Sequence, residues 1–375
     1  MSGIETIRQR IPGGRAPRPP RELGFSLVEL MVSITIGMIL LAGLATLFAN
    51  QSRSREELRR SEVQVENGNY AMKVLGDDIQ MAGYWAEFNI TVAGLPAPTG
   101  PAGALPDPCD ASIANLTQML TMPIQGYDNY AGAGNSPTCL NDVKTNTDII
   151  VIRRVSTCVA APTAGTGCDP VLATTPYFQA SSCNNANELG SATPTDAFRL
   201  SYSTASLDRH LKNCTTVANE HRYFTHIYYI ANNDQPGDGI PTLKRADLGA
   251  GAGGNADFTT VSPIAEGIDN LQIEYGLDTD GDGSPDVFTA DPNSYNGCAN
   301  TVACVANWQN VVVAKVNVLA RNTDATPGYT DTKTYTLGLK ADGTPNVVGP
   351  VGDPIKRHVY AAQLRVYNVA GRREP

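Results

Sequence analysis

The stretch Asp278-Thr279-Asp280-Gly281-Asp282-Gly283-Ser284-Pro285-Asp286 places four carboxylates on one short segment. Counted from Asp278, they fall at positions one, three, five and nine with glycine at six, the order of an EF-hand-type calcium loop, and Ser284 at position seven would supply its backbone carbonyl. Position twelve is Thr289, so the bidentate glutamate is missing and Asp286 would have to contribute more. The competing explanation is an Asp/Gly-rich turn between two strands, since both residue types favour turns. Four carboxylates crowded together repel one another without a cation, which favours Ca2+ as a cofactor that stiffens the loop. No organic cofactor is implied.

Other reactive residue types do not assemble into a catalytic set. The sequence has no P-loop, no H-E-x-x-H and no G-x-S-x-G, and His226 and His358 lie in strand-like runs. Gly249, Gly251 and Gly254 match G-x-G-x-x-G only formally: no strand leads into the segment and no helix follows it. The eight cysteines, Cys109, Cys139, Cys158, Cys168, Cys183, Cys214, Cys298 and Cys304, include no C-x-x-C pair, and of the histidines only His221 and His226 are spaced like zinc ligands. An even number in an exported domain points to disulfides, with Cys298 and Cys304 able to close a small loop. An enzyme is not expected.

Glu29 is the one charged residue between Phe25 and Ala49, in a proline-free run long enough to cross a bilayer as a helix. Such a charge costs roughly 2.5 to 3.5 kcal/mol on insertion scales, and no basic residue lies in the run to offset it. Its partner is therefore expected from outside the helix. Arg8, Arg10, Arg15, Arg18 and Arg21 precede the run and keep the N-terminal side cytoplasmic, placing everything after Asn50 across the membrane. The formal charge of −9 gives no reason to expect a nucleic-acid partner.

These residues need a scaffold. The apolar run continues as a polar-surfaced helix to Ala82, with Leu58, Val65, Met72 and Ile79 recurring every seven residues, joined by Val74 and Leu75 near the end, as a stripe to pack on the domain beside it. With 35 Gly, 25 Pro and 17% charged residues, the rest is turn-rich and unlike a helical bundle. Gly83 to Asn146 reads as a long loop region. Strand signals follow at Asp148 to Val155, Ala197 to Tyr202, Tyr223 to Ile230, Leu271 to Tyr275, Val311 to Ala320, Thr334 to Leu339 and His358 to Val369, several with half-buried alternation. The expected fold is α+β: a long N-terminal helix, half membrane-spanning and half amphipathic, packed on a mainly antiparallel sheet with long disulfide-bonded loops. The expected segments are a leader at 1–24, an assembly helix at 25–49, a helical spine at 50–82 and a β-rich head at 83–375.

The junction Gly24-Phe25-Ser26-Leu27-Val28-Glu29-Leu30 resembles the class III signal of type IV prepilins and pseudopilins. The resemblance implies cleavage between Gly24 and Phe25 by a prepilin peptidase, N-methylation of Phe25, and a pairing of Glu29 with the terminal amine of a neighbouring subunit during assembly. Gly237-Asp238-Gly239-Ile240-Pro241-Thr242-Leu243-Lys244-Arg245 and Gly267-Ile268-Asp269-Asn270-Leu271-Gln272-Ile273-Glu274-Tyr275-Gly276 look like segments of PilW proteins, minor pilins of type IV pili. That resemblance implies a single-pass inner-membrane protein with a periplasmic head, which joins other minor pilins, the major pilin and the inner-membrane assembly platform in a complex that primes the filament. It would then lie near the pilus tip at the cell surface, where a PilY-type adhesin is a further partner. The alternatives are a GspJ-like minor pseudopilin of a type II secretion system and a calcium-dependent surface-binding module.

Overall fold

The computed structural model describes residues 24, 26–89, 105–132, 137–161, 169–250, 255–298 and 302–374. The chain divides into two compact units, residues 1–56 and 57–375. Helix α1, Leu27–Met81, begins in the first unit and ends in the second. Its first half is apolar on all sides, with Leu27, Leu41 and Phe48 at 74, 66 and 73% exposure. An 18-residue window there reaches a mean hydropathy of 2.3, so by length and composition the helix can cross a membrane.

In the second unit, α1 packs against antiparallel sheets. Among the described residues the largest has eight strands: β1 (Ile124–Tyr127), β2 (Ile149–Ala161), β3 (Asp169–Pro170), β4 (Tyr177–Ala180), β5 (Phe198–Ser201), β6 (Glu220–Ala231), β7 (Thr242–Ala250) and β8 (Ala256–Glu266). Strand β6 is its axis. Strand β2 borders one side, while β4 pairs with the beginning of β6 and β7 with its end. The second sheet runs β10-β9-β11-β14, formed by β9 (Ile268–Leu277), β10 (Val287–Thr289), β11 (Val311–Arg321) and β14 (Arg357–Arg365). A hairpin of β12 (Tyr335–Leu339) and β13 (Pro345–Val348) completes the strands, and short helices α2 (Ile113–Met119), α3 (Val302–Gln309) and α4 (Tyr367–Ala370) fill the connections. The architecture is α+β, a long helix on antiparallel sheets.

The stripe that α1 buries agrees with the expected one only towards its C-terminal end, where Ile79 is buried and Met72 packs against the core. Leu58 and Val65 are 61 and 45% exposed, whereas Gln64, Gly68, Ala71, Leu75, Gly76, Asp78 and Ile79 are buried. Small and polar residues win because the helix lies close on β14 and its polar atoms find partners. Gln64 donates to the carbonyls of Ala320 and Lys356, both at 3.0 Å, and a Cβ on Gly68 would overlap the Tyr360 ring. Ala71, Leu75 and Ile79 then join Leu271, Ile273, Val316 and Val318 in one core.

Two further departures concern the sheets. Strands β7 and β8, which are not among the expected strands, flank the glycine-rich segment, so a strand does lead into Gly249; β8 follows where a nucleotide fold has a helix, and Gly251 and Gly254 lie outside the described residues. The run His358 to Val369 ends as a strand at Arg365 and turns into α4. Strand β9 is buried on both faces: Leu271, Ile273 and Tyr275 enter the core, while the polar face is covered by the hairpin, where Asn346 donates to Gln272 at 2.7 Å and Leu339 N–H to Glu274 at 3.2 Å.

Candidate functional site

At the start of α1, Ser26 Oγ accepts from the Val28 N–H at 3.2 Å, and the Glu29 carboxylate accepts from the Ser26 N–H at 3.0 Å. This reciprocal arrangement is a capping box, and it satisfies two of the donors that every helix start leaves open. Glu29 therefore has a partner within its own helix, contrary to the expectation that it must come from elsewhere. The signal was legible as Ser-x-x-Glu ahead of an apolar run. The Ser26 N–H held by Glu29 belongs to the peptide bond from Phe25, the residue expected to become the new terminus; Gly24 is exposed, and Phe25 lies outside the described residues.

The Asp-rich loop leaves β9 and returns into β10. Oxygens of Asp278, Asp280 and Asp286 converge within 4.8 Å of one another. Asp282 is not in that group; its carboxylate accepts from the Ser284 N–H at 2.7 Å. Asp278 is buried and accepts from the N–H groups of Gly281 and Gly283 at 2.7 and 3.0 Å, with Arg373 Nη1 at 3.1 Å. Burial alone would push the Asp278 carboxyl up, but Arg373 and those N–H groups outweigh it and hold it below the usual carboxylate range. The N–H and hydroxyl of Thr279 do the same for Asp286. Gly281 and Gly283 both take φ of +86°, the conformation that lets so tight a loop close. Three ionised oxygens aimed at one point fit a hard cation, although Arg373 already supplies part of the compensating charge.

Cysteines pair as Cys109–Cys139, Cys183–Cys214 and Cys298–Cys304, and Cys158 is disulfide-bonded too; Cys168 lies outside the described residues. The five-residue spacing of His221 and His226 puts them on opposite faces of β6. His221 Nδ1 lies 2.8 Å from the Ser156 carbonyl oxygen, and His226 Nδ1 lies 2.5 Å from Asp78 Oδ2.

Asp78 is a residue whose importance periodicity concealed. It is buried on α1 and also receives Arg154 Nε at 2.6 Å and the Tyr228 hydroxyl at 2.9 Å, tying the helix to β2 and β6. A second buried network centres on Arg357, which meets Asp269, Asp331 and Asp353 at 2.7, 2.9 and 2.7 Å; Lys144 bonds Asp269 as well. Asp269 sits in the segment resembling PilW proteins, so that stretch contributes a structural charge as well as a strand.

An apolar N-terminal helix entered through a capping-box glutamate, ahead of an antiparallel α+β head with disulfides, fits a membrane-anchored pilin. Residues 19–45 match the model of the prokaryotic N-terminal methylation motif, and residues 227–368 match that of the type IV pilus-assembly protein W. The chain carries a PilW-type region behind a prepilin N-terminus and is a type IV pilus-related pilin. No curated relative and no solved structure matches it.

Proposed function

We propose that this protein is a minor pilin that is cleaved between Gly24 and Phe25, is methylated on Phe25, and takes part in the inner-membrane complex that primes a type IV pilus. The observation that carries this reading is the presence, on one chain, of the methylation motif at 19–45 and the PilW-type region at 227–368. Before assembly the apolar half of α1 holds the protein in the inner membrane, with the head in the periplasm. On assembly that helix packs among the helices of other minor pilins and the major pilin, on the assembly platform, and the subunit ends near the filament tip beside a PilY-type adhesin. Lateral packing covers apolar side chains that would otherwise be exposed to water. In the filament, Glu29 exchanges its cap on Ser26 for, or shares it with, the amine of a neighbour. The role is structural and involves no catalysis.

Ca2+ bound by Asp278, Asp280 and Asp286 would link the end of β9 to the beginning of β10 and neutralise their mutual repulsion. The ion's contribution is to hold the loop.

Deletion of the gene tests the reading through counts of surface pili and of secreted protein, with pilus retraction active and blocked. Loss of pili under active retraction, normal secretion and partial recovery when retraction is blocked are the expected results. Intact pili with failed secretion would overturn it in favour of a secretion pseudopilin.

A further inference from the structure

Independently of any role in assembly, the large sheet carries a cavity of about 430 Å³ whose charge is opposite to that of the chain as a whole. It is built on one face of β6, where Arg222, Phe224 and His226 alternate with residues of the opposite face. Across the strands, Arg154 of β2 stands beside Phe224, and Asp247 of β7 beside His226. The other wall brings in Arg245, Thr175 and Thr260, with Leu172 exposed at the rim.

The cations here are not equally engaged. Arg154 is held by Asp78 at 2.6 Å, and Arg245 donates through Nη2 to Asp247 at 3.1 Å, although its own Nε, 2.7 Å from that carboxylate, is a second buried donor without a hydrogen bond. His226 lies between the same two carboxylates, 2.5 Å from Asp78 and 3.6 Å from Asp247. Arg222 has no carboxylate partner among the described residues, and its Nε is a buried donor with no acceptor. Its guanidinium carbon lies 5.1 Å from the centre of the Phe224 ring, with that of Arg154 4.9 Å from the same centre. The ring thus holds the guanidinium while its Nε–H stays without an acceptor. A guanidinium that lines a cavity and holds one buried, unpaired N–H is suited to an oxyanion, because its planar fork can offer two parallel charge-assisted hydrogen bonds. Leaving a buried donor unpaired is otherwise costly.

We propose that this cavity binds an acidic sugar of monosaccharide size. Arg222 takes its carboxylate with Arg245 alongside, and Thr175, Thr260 and the Asp247 carboxylate serve its hydroxyls. The cavity volume admits one such ring, and the exposed rim gives it an entrance.

The test is calorimetric titration of the full chain in detergent micelles with D-glucuronate, D-glucose and inorganic phosphate. Glucuronate should bind, phosphate should compete with it, and glucose should bind at least about tenfold more weakly, as expected for loss of a charge-assisted pair. Arg222→Gln should weaken glucuronate binding by about tenfold or more and lower the urea midpoint only slightly, through loss of the contact with the Phe224 ring, since among the described residues the guanidinium has no carboxylate partner to lose. Should that variant fail to fold, Thr260→Ala at the exposed rim should still lower glucuronate affinity severalfold. Equal binding of glucose and glucuronate, binding of phosphate with none of glucuronate, or unchanged glucuronate affinity in a folded Arg222→Gln or in Thr260→Ala would each overturn the assignment.

Discussion

Replacing Asp78 with alanine should destabilise the head far more than the same change one residue earlier. Asp78 is buried and binds three partners from two strands: Arg154 at 2.6 Å, His226 at 2.5 Å and Tyr228 at 2.9 Å. Hydrogen bonds to charged groups are worth roughly 1.5 to 3 kcal/mol each, but they share one carboxylate and do not add. Breaking a buried pair from one side typically costs about 3 to 5 kcal/mol, because the charge left behind stays desolvated. Asp77 points the other way, with a side chain 67% exposed and, among the described residues, paired only to Lys73 in an i,i+4 bridge, so Asp77→Ala should cost no more than about 0.5 kcal/mol. The assay is urea unfolding of the full chain in micelles, followed by the fluorescence of Trp85 and Trp308, which are 0 and 1% exposed in the head. With a slope near 3 kcal/mol per molar urea, Asp78→Ala should lower the midpoint by roughly 1 M or more. The pH dependence follows from the direction of the shift. Burial pushes the Asp78 carboxyl up, yet the charges and hydrogen bonds of His226 and Arg154 outweigh it and hold it well below the ordinary value. Its stabilisation is therefore fully present above the unfolded pKa of about 3.9 and is lost as pH falls through the depressed folded value. The gap between wild type and Asp78→Ala should hold at neutral pH and close below about pH 4. Equal midpoints for Asp77→Ala and Asp78→Ala would refute the claim that this carboxylate fastens the helix to the sheets.

Other tests are independent of that one. Two glycines on α1 should respond oppositely: a methyl on Gly68 collides with the Tyr360 ring and should cost about 1 to 3 kcal/mol, whereas one on Gly76 meets Leu364 at 3.5 Å and should gain up to about 1 kcal/mol from helix propensity, both read from urea midpoints. Ca2+ at a hundredfold excess over its dissociation constant should stabilise the wild-type head by about 2.7 kcal/mol relative to EDTA, and Asp280→Asn with Asp286→Asn should abolish the difference; identical melting with and without Ca2+ in the wild type would remove the ion from the account. Glu29→Ala should insert and be cleaved normally but fail to assemble, as measured by membrane fractionation, leader processing and pilus yield. Normal pili from that variant would confine Glu29 to capping the helix.

The sequence alone identified whatever depends on contiguous residues. The apolar run, its basic flank, the Gly24-Phe25 junction and the order of carboxylates from Asp278 to Asp286 are local patterns, and so is the alternation that located most strands. The Ser26-Glu29 cap was equally local, and was obscured by treating the glutamate only as a charge in search of a distant partner. What required tertiary structure was any property set by what packs against a residue. A seven-residue apolar repeat marked Leu58 and Val65 for burial, but the sheet accepts the adjacent face, because Gln64 and Asp78 find acceptors and donors there and Gly68 permits close approach. Strands β7 and β8 lacked a legible signal because their exposed side chains break the alternation, and their place is set by pairing, β7 on β6 and β8 on β7. Asp282 belonged to the calcium pattern by spacing, yet the turn at Gly281 and Gly283 directs its carboxylate to Ser284. Arg222 looked like any charged strand residue in sequence. Only the pairing of β4 with β6, which sets Tyr177 and no carboxylate opposite it, shows that its Nε–H is left without an acceptor among the described residues.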